Sequence, residues 1–212
     1  MSGPREAIVI GAGGHGSVVV ATLVAAGVRV AAVYDDNADC WGGSVLGVPV
    51  RGPVDAAREA RLPAVLGVGD NRRRAALAER LELEWATAVH PGAVVHPSVR
   101  IGTGSVIFAG VVVQPNAVLG EHAILNTSCS VDHDCIVGSF AHVSVGARLT
   151  GAVHVGRGSM LGAGCVVLPC AVIGEHCTVG AGAVVLGDIA PGTTVIGVPA
   201  RPLGSRDQER SG

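Results

Sequence analysis

An α/β Rossmann-like half-domain followed by an all-β left-handed parallel β-helix is predicted by three features of this sequence. Every sixth residue from Val89 to Val185 is aliphatic, without exception. Two places before each of these, from Ala93 on, stands Ala, Val, Ser or Cys. The residues ahead of Val89 follow another pattern, with a short apolar run, a glycine turn, a helical stretch and a second apolar run ending in two aspartates.

The six-residue period excludes the common alternatives. Amphipathic helices place apolar residues three and four apart, and half-buried strands place them two apart, so a strict six marks a stacked short repeat. One large and one small inward residue per hexad fill a narrow triangular interior, and three hexads make a coil of eighteen residues. Seventeen hexads give between five and six coils, and the unbroken phase leaves no room for a long inserted loop. Gly follows the aliphatic slot at Gly102, Gly120, Gly138, Gly156, Gly162, Gly174 and Gly180, where a tight corner favours a residue without Cβ.

The first part reads as strand Ala7 to Ile10, turn Gly11-Ala12-Gly13-Gly14-His15-Gly16, helix Ser17 to Ala26 and strand Val28 to Tyr34, closed by Asp35-Asp36. This is how a Rossmann-type mononucleotide half begins, with glycines that let backbone approach a phosphate at a helix N-terminus. An apolar pattern from Val45 to Val50 adds an edge strand. A third strand, Ala64 to Val68, leads through Gly69-Asp70-Asn71 into an Arg-rich helix ending near Leu83. The expected division is 1–86 for a nucleotide-sugar-binding domain, 87–190 for the β-helix and 191–212 for a C-terminal tail.

Gly11, Gly13 and Gly16 also fit G-x-G-x-x-G with Asp35 about twenty residues on, the pattern of a dehydrogenase. Size argues against redox chemistry: this stretch holds half of a dinucleotide fold, and the rest is solenoid. A nucleotide sugar or nucleoside diphosphate is the expected ligand.

Composition narrows the classes further. Of 212 residues, 49% are hydrophobic and only 2% aromatic, as expected of a core filled with Val, Ile and Ala. A formal charge of −2 offers no electrostatic reason to expect nucleic acid or an anionic membrane. The first apolar run is too short for a signal sequence and no stretch is long enough to span a bilayer, so a cytoplasmic protein is expected. Cys129, Cys135, Cys165 and Cys177 occupy the small inward slot and read as small hydrophobes, and no C-x-x-C spacing exists.

Eight histidines remain to be placed. No two are eighteen apart and no H-x4-H pair occurs, so no metal site is expected. His133 stands between Asp132 and Asp134, two places after the aliphatic slot, at a corner pointing out of the core. An outward imidazole held in one tautomer by a carboxylate suits a general base. His142, just before Val143, is also outward, facing a groove or solvent. His90, His96, His122 and His176 have no comparable partner and read as structural or solvated.

The conjunction of GAGGHG, Tyr34-Asp35-Asp36-Asn37, Gly69-Asp70-Asn71 and Asn126-Thr127 to His133-Asp134 resembles the NeuD/PglD-type sugar acyltransferases over essentially the whole chain. The resemblance implies a homotrimer that transfers an acetyl group from acetyl-CoA, in grooves between adjacent β-helices, to the amine of a nucleotide-linked amino sugar. It casts His133 as general base, with Asp134 or Asp132 orienting it. His142 would lie near the acetyl thioester, the Gly151 N–H would stabilise its oxygen, and Arg201 would lie near the CoA nucleotide. Gly13, Gly14, His15, Asp35 and Asp36 would grip the nucleotide, and Asn126 would share the groove of His133. O-acetylation of sialic acid or a related free sugar, a non-catalytic nucleotide-binding scaffold and a metal-dependent hydratase are the competing readings.

Overall fold

The computed structural model describes residues 4–203; the ends of the expected 1–86 and 191–212 segments lie outside the described residues. The first part is a five-stranded sheet in the order β3-β4-β2-β1-β5, with β1 (Glu6–Ile10), β2 (Arg29–Tyr34), β3 (Ser44–Val45), β4 (Val48–Arg51) and β5 (Ala64–Leu66). All pairings are parallel except β3 with β4. The apolar pattern at Val45 to Val50 is therefore a hairpin rather than one strand. Leu46 and Gly47 turn it with φ of 48° and 82°, the positive values that a two-residue hairpin turn requires.

Helix α1 (Gly14–Ala25) begins three residues before the stretch read from the sequence, so the third and fourth glycines of the turn belong to its first turn. Gly13 caps it without a side-chain hydrogen bond and no acidic residue occupies the first turn. Its orphan N–H groups and positive dipole end thus meet no carboxylate from the helix's own first turn. Helix α2 (Asn71–Leu81) is started by Asp70, whose carboxylate accepts from the Arg73 N–H at 2.7 Å.

From Ala88 the chain winds into a three-sided prism of two-residue strands. Up to Val185, neighbours within each side are parallel and eighteen residues apart, as in Val112 to Ser130 to Arg148. The aliphatic and small slots point inward and form one continuous core, with Ile107, Cys129, Val131, Val143 and Val167 fully buried. Burying apolar area at about 25 cal/mol per Å² is the main driving force here, since short strands have few hydrogen bonds each. The period breaks after Val185. Ile189 rather than residue 191 bridges back to Ile173, and the following side advances sixteen residues, from Thr178 to Thr194. A two-residue deletion preserves inward-outward parity, so the core stays closed.

The glycines after the aliphatic slot serve a purpose different from the expected one. At Gly102, Gly138 and Gly156 an added Cβ would fall 2.5, 2.7 and 2.5 Å from the backbone nitrogens of Glu121, Arg157 and Glu175 in the next coil. Close approach between coils excludes the side chain. The left-handed residue that turns the corner comes two places later, at Gly104, His122, Phe140, Gly158 and His176.

The two parts share apolar packing. Val19, Val20 and Leu23 of α1 cluster with Ala88, Val106, Phe108 and Ile124 on the outer surface of one prism side. That side, which also carries His142 and Met160, is covered by the first part, and the other two are not.

Candidate active site

The uncovered corner opposite this seam carries His133. Its imidazole Nδ1 lies 2.8 Å from Asp134 Oδ2, and Asp134 Oδ1 accepts from Asn116 Nδ2 at 3.1 Å, one coil earlier. Asp134 takes the left-handed conformation of the corner, φ 59°, which turns its carboxylate back toward the ring. Asp132 instead accepts from the His133 backbone N–H at 2.7 Å. Of the two flanking aspartates, then, Asp134 holds the ring. The hydrogen bond that the ring donates to Asp134, with the charges of both carboxylates, pushes the imidazole pKa above its ordinary value, and the same bond lowers that of Asp134. The ring is exposed to solvent.

Gly151 stands one coil beyond. A Cβ there would lie 2.7 Å from both Cε1 and Nε2 of His133, so the imidazole edge rests where a side chain would otherwise be. The Gly151 N–H takes no partner among the described residues, while its carbonyl accepts from Cys170. With Nδ1–H given to Asp134, the lone pair of Nε2 is free at the ring edge that rests against Gly151.

His142 is elsewhere. The sequence placed it outward, facing a groove or solvent; it does point out of the prism, yet it is 5% exposed because the first part covers it. Asn126 Oδ1 accepts from the Thr127 N–H, which turns its Nδ2 toward His142 Nε2 at 3.0 Å. Nε2 is thus an acceptor, and Nδ1 carries the proton toward the Gly69 carbonyl at 3.3 Å. Asn126 therefore pairs with His142, and one chain does not bring either residue to His133. His15 packs in the same seam, its ring 5.3 Å from Phe108 and 6.0 Å from His142, with Nε2 buried and without a hydrogen-bond partner among the described residues. His122, expected to be structural or solvated, is buried too, stacked on Phe140 at 5.0 Å and edge-on to Trp85 at 5.1 Å. Burial first, then the charge of Arg74, lowers the pKa of His15, His122 and His142 to about 4.

A pocket of about 230 Å³ opens at the carboxyl ends of β1 and β2, walled by Gly11, Asp35, Asp36, Arg73 and Arg80 among others. Ligands of open α/β sheets sit at such strand ends, where the strand order reverses. Asp35 Oδ2 accepts from the Ala12 N–H at 2.6 Å and so ties the glycine turn to β2. Asp36 accepts from the Val54 N–H at 3.0 Å and pairs with Arg80 at 3.2 Å. Gly13 and Gly14 do not line this pocket; both are exposed, with open space where a Cβ would stand. Arg201, at the far end of the prism, lines a groove of about 280 Å³ with Leu186, Asp188 and Thr193. Among the described residues no group of three or more His, Cys, Asp or Glu is placed to hold a metal, and no helix is long and apolar enough to cross a membrane.

Residues 6–81 match the family model for the PglD N-terminal domain, and residues 152–187 match that for the bacterial transferase hexapeptide, six repeats. The acetyltransferase domain of PglB from Neisseria gonorrhoeae FA1090 is 40% identical, with a TM-score of 0.88 over 94% of this chain and 100% of that one. The chain belongs to the NeuD/PglD-type acyltransferases. Another member, a histidine variant of perosamine N-acetyltransferase from Caulobacter crescentus in complex with CoA and GDP-perosamine, is 40% identical, with a TM-score of 0.90 over 94% of this chain and 97% of that one. The UDP-N-acetylbacillosamine N-acetyltransferase of Bacillus subtilis (strain 168) is 39% identical over 114 residues, 50% of this chain, and the chain spans about half of it, 52%.

Sequence reasoning missed Arg74. It was one arginine among several in an Arg-rich helix, yet it is the largest fully buried side chain among the described residues, 1% exposed. Its one available signal was position: three residues beyond the Asn71 that follows the strand-end turn.

Proposed function

We propose that this protein transfers the acetyl group of acetyl-CoA to the amino group of a nucleotide-linked amino sugar. Residues 1–86 hold the nucleotide, residues 87–190 carry the chemistry, and the 191–212 tail, through Arg201, flanks the CoA nucleotide. The observation that carries this reading is the His133–Asp134 pair set against Gly151. Nδ1 is held by a carboxylate, Nε2 is free to accept a proton, and the residue its ring rests on, Gly151, has an N–H unpartnered among the described residues.

In the proposed step the sugar amine attacks the thioester carbon directly. His133 Nε2 takes the proton that the nitrogen loses, and the C–S bond breaks as the tetrahedral intermediate collapses. The imidazolium returns that proton to the departing CoA sulfur. The Gly151 N–H donates to the carbonyl oxygen as its charge grows, an interaction stronger in the transition state than in the ground state. Asp134 keeps the ring oriented and stabilises its protonated form.

The pocket bounded by Asp35 and Asp36 and the uncapped start of α1 at Gly13, Gly14 and His15 suit a sugar tethered through a nucleoside diphosphate. A free sugar offers nothing to such a turn, which favours the linked substrate over sialic acid. Two relatives point the same way, one named as acting on a UDP-linked sugar and one bound to GDP-perosamine. Because His142 and Asn126 lie across the prism from His133 within one chain, their joint use requires neighbouring subunits, and we propose a homotrimer working in the cytoplasm. The His133→Ala variant should fold, remain trimeric by light scattering and lose on the order of 10²–10⁴-fold in transfer rate. Near-parent turnover in that variant would overturn the proposed base.

A further inference from the structure

Arg74 reaches out of α2 across the seam between the two parts. Nε donates to the His122 carbonyl at 3.0 Å, and Nη2 to the Phe140 carbonyl at 2.8 Å and to Asn71 Oδ1 at 2.9 Å. Nη1 donates to the carbonyls of Val68 at 3.2 Å and Gly69 at 3.0 Å. Asn71 Nδ2 in turn donates to the carbonyls of Gly158 and Ser159. One side chain thus joins the strand-end turn after β5 to corners of two successive coils.

Arg74 makes no salt bridge among the described residues. A buried cation without a carboxylate is an expensive way to glue two surfaces, since apolar packing of similar volume does as well or better. A planar fork with fixed donor directions does what apolar packing cannot: it sets one register between the pieces it bridges. The Gly69 carbonyl it binds is the same one that receives Nδ1–H of His142.

We propose that Arg74 is a positioning residue for transfer, acting through Gly69 and His142 to fix where the nucleotide-holding part sits on the β-helix. The inference rests on the reading that the first part presents the acceptor to chemistry on the second. Reacting atoms misplaced by about 1 Å can cost on the order of 10²-fold in rate, so the register of the seam governs turnover even though Arg74 touches no substrate.

The test uses the full chain and the Arg74→Lys variant, which keeps the charge and loses the fork. Transfer from acetyl-CoA is measured at saturation with whichever of the UDP-, GDP- and dTDP-linked amino sugars the parent uses fastest. Acetyl-CoA affinity is measured alongside by calorimetry, and the ¹⁵N resonances of the His142 imidazole report its tautomer. The expected result is a folded variant with acetyl-CoA affinity within two-fold of the parent, a saturated rate at least ten-fold lower, and a His142 no longer confined to the Nδ1–H form. A rate within two-fold of the parent with an unchanged His142 tautomer would overturn the proposal. So would a rate that falls only in proportion to the folded fraction. If Arg74→Lys does not fold, Asn71→Ala gives the same readouts with a smaller shift in the same direction. A parent inactive on every acceptor would refute the transferase reading, and the His142 tautomer would then decide the seam by itself.

Discussion

Asp134 Oδ2 lies 2.8 Å from Nδ1 of His133, while the carboxylate of Asp132, equally close in sequence, caps the backbone N–H instead. The left-handed turn at Asp134 separates the two roles. Asp134→Asn should therefore affect catalysis more than Asp132→Asn. Because the carboxylate raises the His133 pKa, its removal lets the ring lose its proton at lower pH. The acid limb of the pH–rate profile should move to lower pH and the plateau should fall by roughly ten-fold or more, as a less basic, less firmly oriented imidazole implies. An unmoved acid limb would separate His133 from that limb.

Gly151→Ala should cost activity with little cost in stability. Gly151 has no positive φ, and the only group in the way of its Cβ is the exposed ring of His133. The imidazole can swing aside, so the melting temperature should stay within about 2 °C while transfer falls by on the order of 10²-fold. A large loss of stability would show that the corner itself needs glycine.

Acid should weaken the fold well before the carboxylates protonate. His15, His122 and His142 have folded pKa values of about 4 against 6.5 unfolded, so the unfolded chain binds more protons between these limits. Stability is then full above pH 6.5 and lost as pH falls toward 4. The melting temperature should be flat from pH 7 to 8 and drop by several degrees by pH 5. His122→Phe, which keeps the stack on Phe140, should flatten that slope. An unchanged slope would exclude His122 as a contributor.

Thiol reactivity should follow the hexad phase. Burial pushes the Cys129 thiol up to about 12 and that of Cys165 to about 11, and Cys135 and Cys177 are enclosed in the same core. Exposed Cys170, at a corner, should be alkylated in the native protein, with these four labelled only on unfolding. Peptide mass spectrometry after a timed iodoacetamide pulse reads this directly. Early labelling of Cys129 would contradict a closed prism.

The prism was legible in the sequence because each inward slot recurs at a fixed interval, so Val131 and Cys129 declare their phase without reference to anything distant. His133 was legible in part for the same reason: its phase turns it out of the core between two carboxylates, and its corner is one that the first part does not cover. His142 and His122 were not: phase says that they leave the core, but what covers them depends on where α1 and α2 land on the prism. Arg74 shows this limit most clearly. Its acceptors at 122 and 140 are carbonyls, which carry no residue-type signal, and they lie 48 and 66 positions away. The four-residue step from Val185 to Ile189 was also hidden, because the regular slots simply end there.

Acetyl transfer to a linked amino sugar is tested most directly by release of CoA thiol by the purified full chain from acetyl-CoA and each of the UDP-, GDP- and dTDP-linked amino sugars. Mass spectrometry of the sugar product should accompany it. Stoichiometric thiol release is expected with at least one linked amino sugar, together with a product heavier by one acetyl group on nitrogen, and both signals should be lost in His133→Ala. Acetylation of free sialic acid with none of the linked amino sugars would contradict the proposed function, as would transfer that survives removal of the His133 imidazole.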